Sequence, residues 1–307
     1  MRSNVTFKSN GLKIAGHLYL PDDYKQGEKR PAIVVSHPFS GVKEQTAGLY
    51  AKNLSEKGFV TLAFDASYQG ESEGDPRYLE SPVVRAEDVK SAVSFLETRD
   101  EVDEEGIGAL GICASGGYVP YAAETDLRIK AVAGISGVDM GDLFRKGLPS
   151  SMCPNIEHLL GESAKARTEV TRGQPLRLEH IVPNTPEEVP KDAPALFREG
   201  TDYYRTPRGQ HPNSPNWFLL RSVEDIVEYS SYEHVDMIPP RPLLMIAGTK
   251  ADTRYFSEMA IEKAKAPREL FLIEGATHVD MYDKEQYVEP AVEKLSNFYK
   301  QYLQSKT

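Results

Sequence analysis

A cysteine, an aspartate and a histidine follow one another along this chain in an order that suits nucleophilic catalysis. They are Cys113, Asp252 and His278, and each comes after an apolar segment of strand type. A free thiol is mostly protonated near neutral pH, so Cys113 would need a base, and His278 would supply it. Asp252 would hold the imidazole in the tautomer that accepts the thiol proton. This set of residues predicts an enzyme that forms a covalent acyl intermediate on sulfur.

Alternatives exist for the two supporting residues. Asp280, two positions after His278, competes with Asp252 as the acid, and Lys250 could pair with Asp252 and draw it away. His278 taken alone could equally be a histidine of a surface loop. Its place after the last apolar segment, together with the order of the three residues, favours catalysis.

The stretch 106–118 is rich in glycine and offers a second nucleophile. A nucleophile elbow is a tight strand-to-helix turn of the pattern G-x-S-x-G, with small residues two positions before and after the nucleophile. Gly111 and Ser115 flank Cys113 in one frame, whereas Cys113 and Gly117 flank Ser115 in the other. The preceding apolar strand runs directly into Gly111, which favours Cys113, because the second frame needs a strand two residues longer. A third interpretation is that Cys113 is simply a small buried residue, the common fate of a free cysteine.

Backbone N–H groups must stabilise the oxyanion that forms in acyl transfer. The N–H of Ala114, which follows the proposed nucleophile, is one candidate. The turn 37–41 comes after the first core strand and supplies the other, which we assign to Phe39, because Pro38 has no N–H. His37 in the same turn is either a substrate contact or a structural hydrogen-bonding residue.

The rest of the chain alternates between strand and helix patterns after a β-hairpin at 4–20. This alternation predicts an α/β fold with a mostly parallel central sheet and helices on both faces. In such sheets, functional residues gather at the carboxyl ends of the strands, where Cys113, Asp252 and His278 are expected. The core strands are predicted at 32–36, 59–64, 107–110, 130–135, 242–247 and 269–273, and the helices at 44–57, 82–98, 116–124, 254–264 and 286–302.

The alternation lapses between residues 139 and 232, where prolines cluster and no buried strand is predicted. Amphipathic pieces occur there at 154–160, 164–172 and 223–229. So long an insertion is usually functional, and we interpret it as a helical lid on a core formed by 1–138 and 233–307. Tyr203 and Trp217 are candidate substrate-binding residues of this lid, although ordinary contacts with the core would account for them equally well.

Composition excludes several classes of partner. The net charge of −10 argues against a nucleic-acid backbone or an anionic membrane as a partner. The two cysteines, Cys113 and Cys153, cannot build a disulfide framework, and neither a signal-peptide pattern nor an apolar run of about 18 residues is present. We therefore expect a cytoplasmic protein that acts on a small-molecule acyl substrate without a metal or cofactor. The oligomeric state stays open, with a homodimer as one candidate.

These motifs resemble the α/β-hydrolase superfamily and, within it, the dienelactone-hydrolase-like branch. The resemblance covers nearly the whole chain and rests on four stretches, 36–45, 63–72, 102–118 and 275–280. It implies the α/β-hydrolase fold and a Cys-His-Asp triad with cysteine at the elbow, where the wider superfamily has serine. Related fungal proteins act as acyl or polyketide transferases, and the bacterial ones are mostly uncharacterised hydrolases.

Three functions are compatible with these residues. The first is a hydrolase of an ester, lactone or thioester that works through a cysteine acyl-enzyme. The second is an acyltransferase that passes the same acyl group to an alcohol or amine, which a water-excluding lid would favour. The third is a non-catalytic binding protein on a hydrolase fold, against which the intact set of Cys113, Asp252 and His278 argues.

Overall fold

The computed structural model describes residues 1–149 and 154–303, so Cys153 lies outside the described part of the chain. An eight-stranded sheet forms its centre, with the strand order β1-β2-β4-β3-β5-β6-β9-β10. The strands of this sheet are β1 (Arg2–Ser9), β2 (Leu12–Tyr19), β3 (Arg30–Ser36), β4 (Val60–Phe64), β5 (Val102–Ile112), β6 (Ala131–Ile135), β9 (Leu243–Gly248) and β10 (Arg268–Ile273). Every neighbouring pair from β4 to β10 is parallel, which confirms the predicted mostly parallel sheet.

The antiparallel part is the amino-terminal hairpin. Asn10 and Gly11 both have positive φ, 47° and 84°, which is the backbone of the two-residue type I′ turn that matches strand twist. Strand β2 then pairs antiparallel with β4, so the hairpin extends one edge of the parallel sheet.

Helices cover both faces of the sheet, as predicted. The core helices are α1 (Thr46–Glu56), α2 (Pro82–Glu97), α3 (Ser115–Thr125), α8 (Arg254–Lys263), α9 (Asp280–Asp283) and α10 (Glu285–Leu303). Side chains of β5 alternate between the two layers: Ile107 and Ala109 join the core beneath α2, α3 and α8, whereas Leu110 and Ile112 join the core beneath α1 and α10.

Strand β5 is longer than its apolar run suggests. The expected strand covered 107–110, but the observed one extends from Val102 to Ile112 and ends one residue before Cys113. Pairing with β3 and β6 on either side extends the ladder through Gly111 and Ile112. The sheet context therefore overrides the weak strand preference of glycine, and the expectation that strand length separates the Cys113 frame from the Ser115 frame was wrong.

Residues 139–232, between β6 and β9, form a separate group of elements that we call the cap segment. Its elements are α4 (Met140–Lys146), α5 (Ile156–Thr171), β7 (Leu178–His180), α6 (Ala195–Arg205), β8 (Trp217–Leu219) and α7 (Ser222–Glu228). Two predicted amphipathic pieces, 154–160 and 164–172, belong to the single helix α5. The prediction that this segment has no buried strand was wrong in one detail, because β7 and β8 pair antiparallel and Phe218 and Leu219 are buried.

No helix in residues 1–149 or 154–303 has the length and apolar character needed to cross a membrane.

Candidate active site

Cys113 lies at the tip of a sharp turn between β5 and α3. Its φ is 58°, a left-handed backbone conformation that is strained for a residue other than glycine. Two residues earlier, a Cβ on Gly111 would lie 1.8 Å from the carbonyl oxygen of Ser115, so only glycine fits there. Gly116 is equally constrained, because a Cβ there would lie 2.6 Å from the Cα of Gly137. The chain thus has the geometry of a nucleophile elbow with residue 113 at its tip.

Ser115 is placed quite differently from Cys113. It begins helix α3, has no exposed surface and points beneath the turn. Its Oγ donates to the carbonyl oxygen of His37 at 2.5 Å and accepts from Arg85 Nη2 at 2.8 Å. The Ser36 hydroxyl lies 2.9 Å away on the same side. This saturated and buried environment favours the frame in which Cys113 occupies the elbow and Ser115 lets the turn close.

The Cys113 thiol is partly exposed to an internal cavity and has several donors around it. The backbone N–H groups of Ala114 and Phe39, both expected to stabilise an oxyanion, lie within hydrogen-bonding reach of the sulfur. The Tyr282 hydroxyl is a further polar group that interacts with the thiol. Burial nevertheless raises the pKa of the Cys113 thiol above its ordinary value, so the protonated thiol is favoured at rest.

His278 is buried, and both of its ring nitrogens have hydrogen-bond partners. Nδ1 lies 2.6 Å from the Thr253 hydroxyl, and Nε2 lies 3.1 Å from the Tyr282 hydroxyl. Burial lowers the pKa of His278 to about 3, so its imidazole is neutral at physiological pH. Because one nitrogen of a neutral imidazole is an acceptor, His278 can act as a base.

The acid expected to orient His278 does not contact it. Thr253 occupies the Nδ1 position, while Asp252 Oδ2 accepts from the backbone N–H of Leu196 at 2.9 Å. The other oxygen of Asp252 is buried without a hydrogen-bond partner, and burial raises the pKa of this carboxyl. The competing Asp280 is paired elsewhere, with Lys284 at 2.5 Å. The structure thus brings Asp252 next to the histidine's partner rather than to the histidine itself.

His37, interpreted either as a substrate contact or as a structural residue, does not line the cavity. The side chain has no exposed surface, its Nδ1 donates to the carbonyl oxygen of Pro38 at 2.7 Å, and its Nε2 accepts from the N–H of Ala66 at 3.0 Å. Both ring nitrogens therefore hold the turn that carries Phe39. Of the two interpretations of His37, the structural one accounts for its position.

Tyr203 and Trp217 are not cavity residues either, but their sequence neighbours Tyr204 and Phe218 are. On strand β8, successive side chains point to opposite faces, and Trp217 stacks on His180 with ring centroids 3.9 Å apart. On helix α6, Tyr203 is rotated away from Tyr204 and is buried against the core. Of the two interpretations of Tyr203 and Trp217, ordinary packing contacts account for their positions, because the neighbouring residue of each pair lies on the side that faces the cavity.

The cavity between the cap segment and the core has a volume of about 350 Å³. The core contributes Phe39, Cys113 and Tyr282 to its wall, and the cap segment contributes apolar side chains from α4, α5, α6 and β8. Among the described residues that line it, none is charged, and the only polar side-chain groups are the Cys113 thiol and the hydroxyls of Tyr204 and Tyr282. The volume lies in the usual range for sites that bind small molecules.

Sequence reasoning missed Tyr282, Thr253 and Arg85, three side chains that contact the predicted site residues. The sequence signals were weak: Tyr282 follows His278 by four residues, which places the two on one side of a helical turn. Thr253 directly follows the expected acid, and Arg85 is an ordinary charged residue of a helix pattern.

The sheet order, the elbow at the end of β5 and the covering helices define an α/β-hydrolase, a hydrolase-type enzyme. The crystal structure of hypothetical protein PA2218 from Pseudomonas aeruginosa superimposes with a TM-score of 0.90 over 99% of this chain and 94% of that chain, at 37% identity. The chain belongs to the dienelactone hydrolase family, whose family model matches residues 14–151. The resemblance drawn from the sequence is thereby confirmed, and a non-catalytic role on the same fold is not retained.

Three relatives identified by sequence extend this comparison. The chain is 37% identical to the uncharacterized protein YcjY of Escherichia coli over 309 residues, which cover 99% of this chain and all of that relative. It is also 37% identical to thiohydrolase AneE of Aspergillus aculeatus, over 90% of this chain and 86% of the relative. Polyketide transferase GrgF of a Penicillium species is a more distant homologue, at 26% identity over 91% of this chain and 90% of the relative. The family thus includes both hydrolases and acyl-group transferases.

Proposed function

We propose that this protein hydrolyses carboxylic esters or thioesters through an acyl-enzyme on Cys113. The observation that carries the proposal is the position of the thiol: it lies at a strained elbow, faces an apolar cavity and is surrounded by the N–H groups of Ala114 and Phe39. A thioester substrate is also consistent with the name of the thiohydrolase relative.

The reaction follows from the groups around the thiol. Cys113 loses its proton towards His278, and the sulfur attacks the acyl carbon while the N–H groups of Phe39 and Ala114 stabilise the oxyanion. The leaving alcohol or thiol takes the proton back from the imidazolium as its bond to the acyl carbon breaks. Water then attacks the thioester on Cys113 with His278 as base, which releases the acid and restores the thiol.

Asp252 stays in the proposed catalytic set as the carboxylate beside Thr253. Thr253 supplies the hydrogen bond that fixes Nδ1, and the buried Asp252 oxygen without a partner supplies negative charge in this region when it is ionised. A buried carboxylate of this kind would favour the imidazolium that forms during the reaction.

Variants of the two candidate nucleophiles test the proposal. We expect Cys113→Ala to abolish hydrolysis of p-nitrophenyl and thiol esters. Ser115→Ala should keep most of the activity and lose about 1–2 kcal/mol of stability, because it removes a buried hydrogen-bonding group. Activity that depends on Ser115 and survives Cys113→Ala would overturn the assignment.

The second candidate function is acyl transfer to an alcohol or amine. The cap segment covers the thiol and would exclude water from the acyl-enzyme, and a polyketide transferase is among the homologues. Partitioning of the acyl-enzyme between water and added acceptors separates the two functions. Saturable formation of an acylated acceptor at the expense of the free acid would identify a transferase, whereas release of acid alone would identify a hydrolase.

A further inference from the structure

The cavity above Cys113 has a polar end and an apolar body. Its three polar side-chain groups belong to neighbouring residues: the Tyr282 hydroxyl interacts with the thiol, and the ring centroids of Tyr204 and Tyr282 are 6.3 Å apart. The remaining described lining is aliphatic or aromatic, and Leu143, Phe197 and Phe218 of the cap segment belong to it. A substrate with its carbonyl at the thiol would therefore place the rest of its acyl group against apolar side chains only.

We infer that the acyl group of the substrate is a medium-length, uncharged hydrocarbon chain that the cap segment encloses. The inference rests on the proposed acyl-enzyme and adds the substrate class. Each methylene buried in such a cavity contributes about 0.8 kcal/mol, or roughly a fourfold gain in kcat/KM, until the space is filled. A terminal carboxylate would find no cation in the described lining and would be buried without a partner.

Two glycines of the cap segment provide a matched pair of variants. Gly200 lines the cavity within α6, and a Cβ there would meet only Val182 Cγ1, at 3.4 Å. Gly161 is exposed within α5, and a Cβ there would meet nothing within 4 Å. Leucine at either position suits a helix better than glycine, so both variants should fold, but only Gly200→Leu would occupy cavity space.

The experiment compares p-nitrophenyl butyrate, p-nitrophenyl octanoate and the mono-p-nitrophenyl ester of suberic acid, which carries a carboxylate on an eight-carbon chain. The wild type should prefer octanoate to butyrate by more than tenfold and to the suberate by at least about 100-fold. Gly200→Leu should reduce the octanoate-to-butyrate ratio at least tenfold, and Gly161→Leu should leave this ratio as in the wild type. Equal turnover of all three esters, or the same octanoate-to-butyrate ratio in both variants, would overturn the inference about the acyl group. Turnover that depends on Cys113 would still support the acyl-enzyme in that case. If no ester were turned over in a Cys113-dependent manner, the proposed function, on which the inference rests, would be wrong.

A second inference concerns Tyr282, whose hydroxyl lies between the two proposed catalytic groups. Its oxygen is 3.1 Å from His278 Nε2, and the hydroxyl also interacts with the Cys113 thiol, which lines the same cavity. The residue is buried, and its ring is fixed edge-on against Tyr203 at a centroid distance of 5.1 Å. The hydroxyl is thus hydrogen-bonded to His278 beside the thiol, and the packing of the Tyr282 ring limits its movement.

We propose that Tyr282 relays the proton from Cys113 to His278. The thiol proton passes to the Tyr282 oxygen while the hydroxyl proton of Tyr282 passes to Nε2. The products are a thiolate, a neutral tyrosine and an imidazolium, so that protons and charge balance. Thr253, on Nδ1, holds the ring in the orientation that presents Nε2 to the hydroxyl.

Tyr282→Phe removes only the hydroxyl and tests the relay. Acylation should slow by about 100-fold or more, as for loss of a positioned proton-transfer group, with a small change in KM. Alkylation of Cys113 by iodoacetamide at a pH where the thiol is already ionised should proceed at the wild-type rate, because no relay is then needed. Tyr203→Phe, a change in the same aromatic cluster but outside the cavity lining, is the control and should retain wild-type acylation. Acylation within about threefold of wild type in Tyr282→Phe would overturn the relay, and slow alkylation at high pH would show that the hydroxyl acts only through structure.

Discussion

At the scale of residues, Cys113 and His278 form a neutral pair at rest. Burial raises the pKa of the thiol and lowers the pKa of the imidazole to about 3, so neither group is charged near pH 7. This differs from a thiolate–imidazolium pair, in which each charge stabilises the other. In the proposed mechanism, the thiolate is therefore generated only when the proton moves during the reaction.

The neutral pair predicts an unusual alkylation profile for Cys113. Alkylation follows the thiolate fraction, and a raised pKa moves the appearance of thiolate to higher pH. The rate with iodoacetamide should be low at pH 7 and should inflect above about 8.5, the ordinary thiol value. An inflection below pH 7 would show a preformed ion pair and contradict the account.

The Thr253 hydroxyl gives a second prediction at this scale, since it is the partner of His278 Nδ1 at 2.6 Å. Thr253→Val keeps the shape of the side chain but removes the hydrogen bond, and we expect kcat to fall about 10–100-fold with little change in KM. Thr253→Ser restores the hydroxyl and should recover most of the activity. Wild-type kcat in Thr253→Val, measured by steady-state kinetics, would show that the hydroxyl does not matter.

At the scale of elements, helix α2 fastens the elbow to the turn that carries Phe39. Arg85, buried on α2, donates to the carbonyl oxygen of His37 and to Ser115, and it pairs with the buried Glu80 at 3.1 Å. Burial raises the pKa of the Glu80 carboxyl despite this pairing. Removing one member of such a buried pair leaves the other without a partner.

Arg85→Leu should therefore lower the free energy of unfolding by about 3–5 kcal/mol, as measured by urea denaturation. The double variant Arg85→Leu with Glu80→Leu should be more stable than Arg85→Leu alone, because no buried charge is left unpaired. Lys263→Leu, which breaks a solvent-exposed pair with Glu233, is the comparison and should change stability by less than about 1 kcal/mol. A double variant less stable than the single one would contradict this role of the pair.

The elements also show what the sequence could and could not predict. The alternation of strands and helices predicted the parallel sheet, and the small residues around Cys113 predicted the elbow. Both features could be predicted because each is marked by a local sequence pattern. The sequence did not predict which side chain of each aromatic pair faces the cavity, so Tyr203 and Trp217 were named instead of their neighbours. Helix rotation and strand register depend on what each element packs against. Thr253 at the histidine was missed for a similar reason: it contacts His278 across 25 residues of chain, and no local pattern marks that contact.

At the scale of the whole molecule, the order of the strands in the sheet determines which residues of the candidate site lie near one another. Strands β5, β9 and β10 run parallel to one another, and β6 separates β5 from β9, so the residues after them, Cys113, Thr253 and His278, lie at the carboxyl ends of the sheet. The cap segment, inserted between β6 and β9, covers the cavity beside the thiol, and none of the described residues that line this cavity is charged. In the proposed function, the carboxyl ends of these strands supply the catalytic groups, and the cap segment selects the acyl group.

The most direct test of the central claim is intact-mass analysis of the protein after rapid mixing with p-nitrophenyl octanoate, followed by peptide mapping. If Cys113 is the nucleophile, we expect one octanoyl group per chain on Cys113. This group should still form in Ser115→Ala and be absent in Cys113→Ala. An octanoyl group mapped to Ser115, or turnover by Cys113→Ala at the wild-type rate, would contradict the central claim.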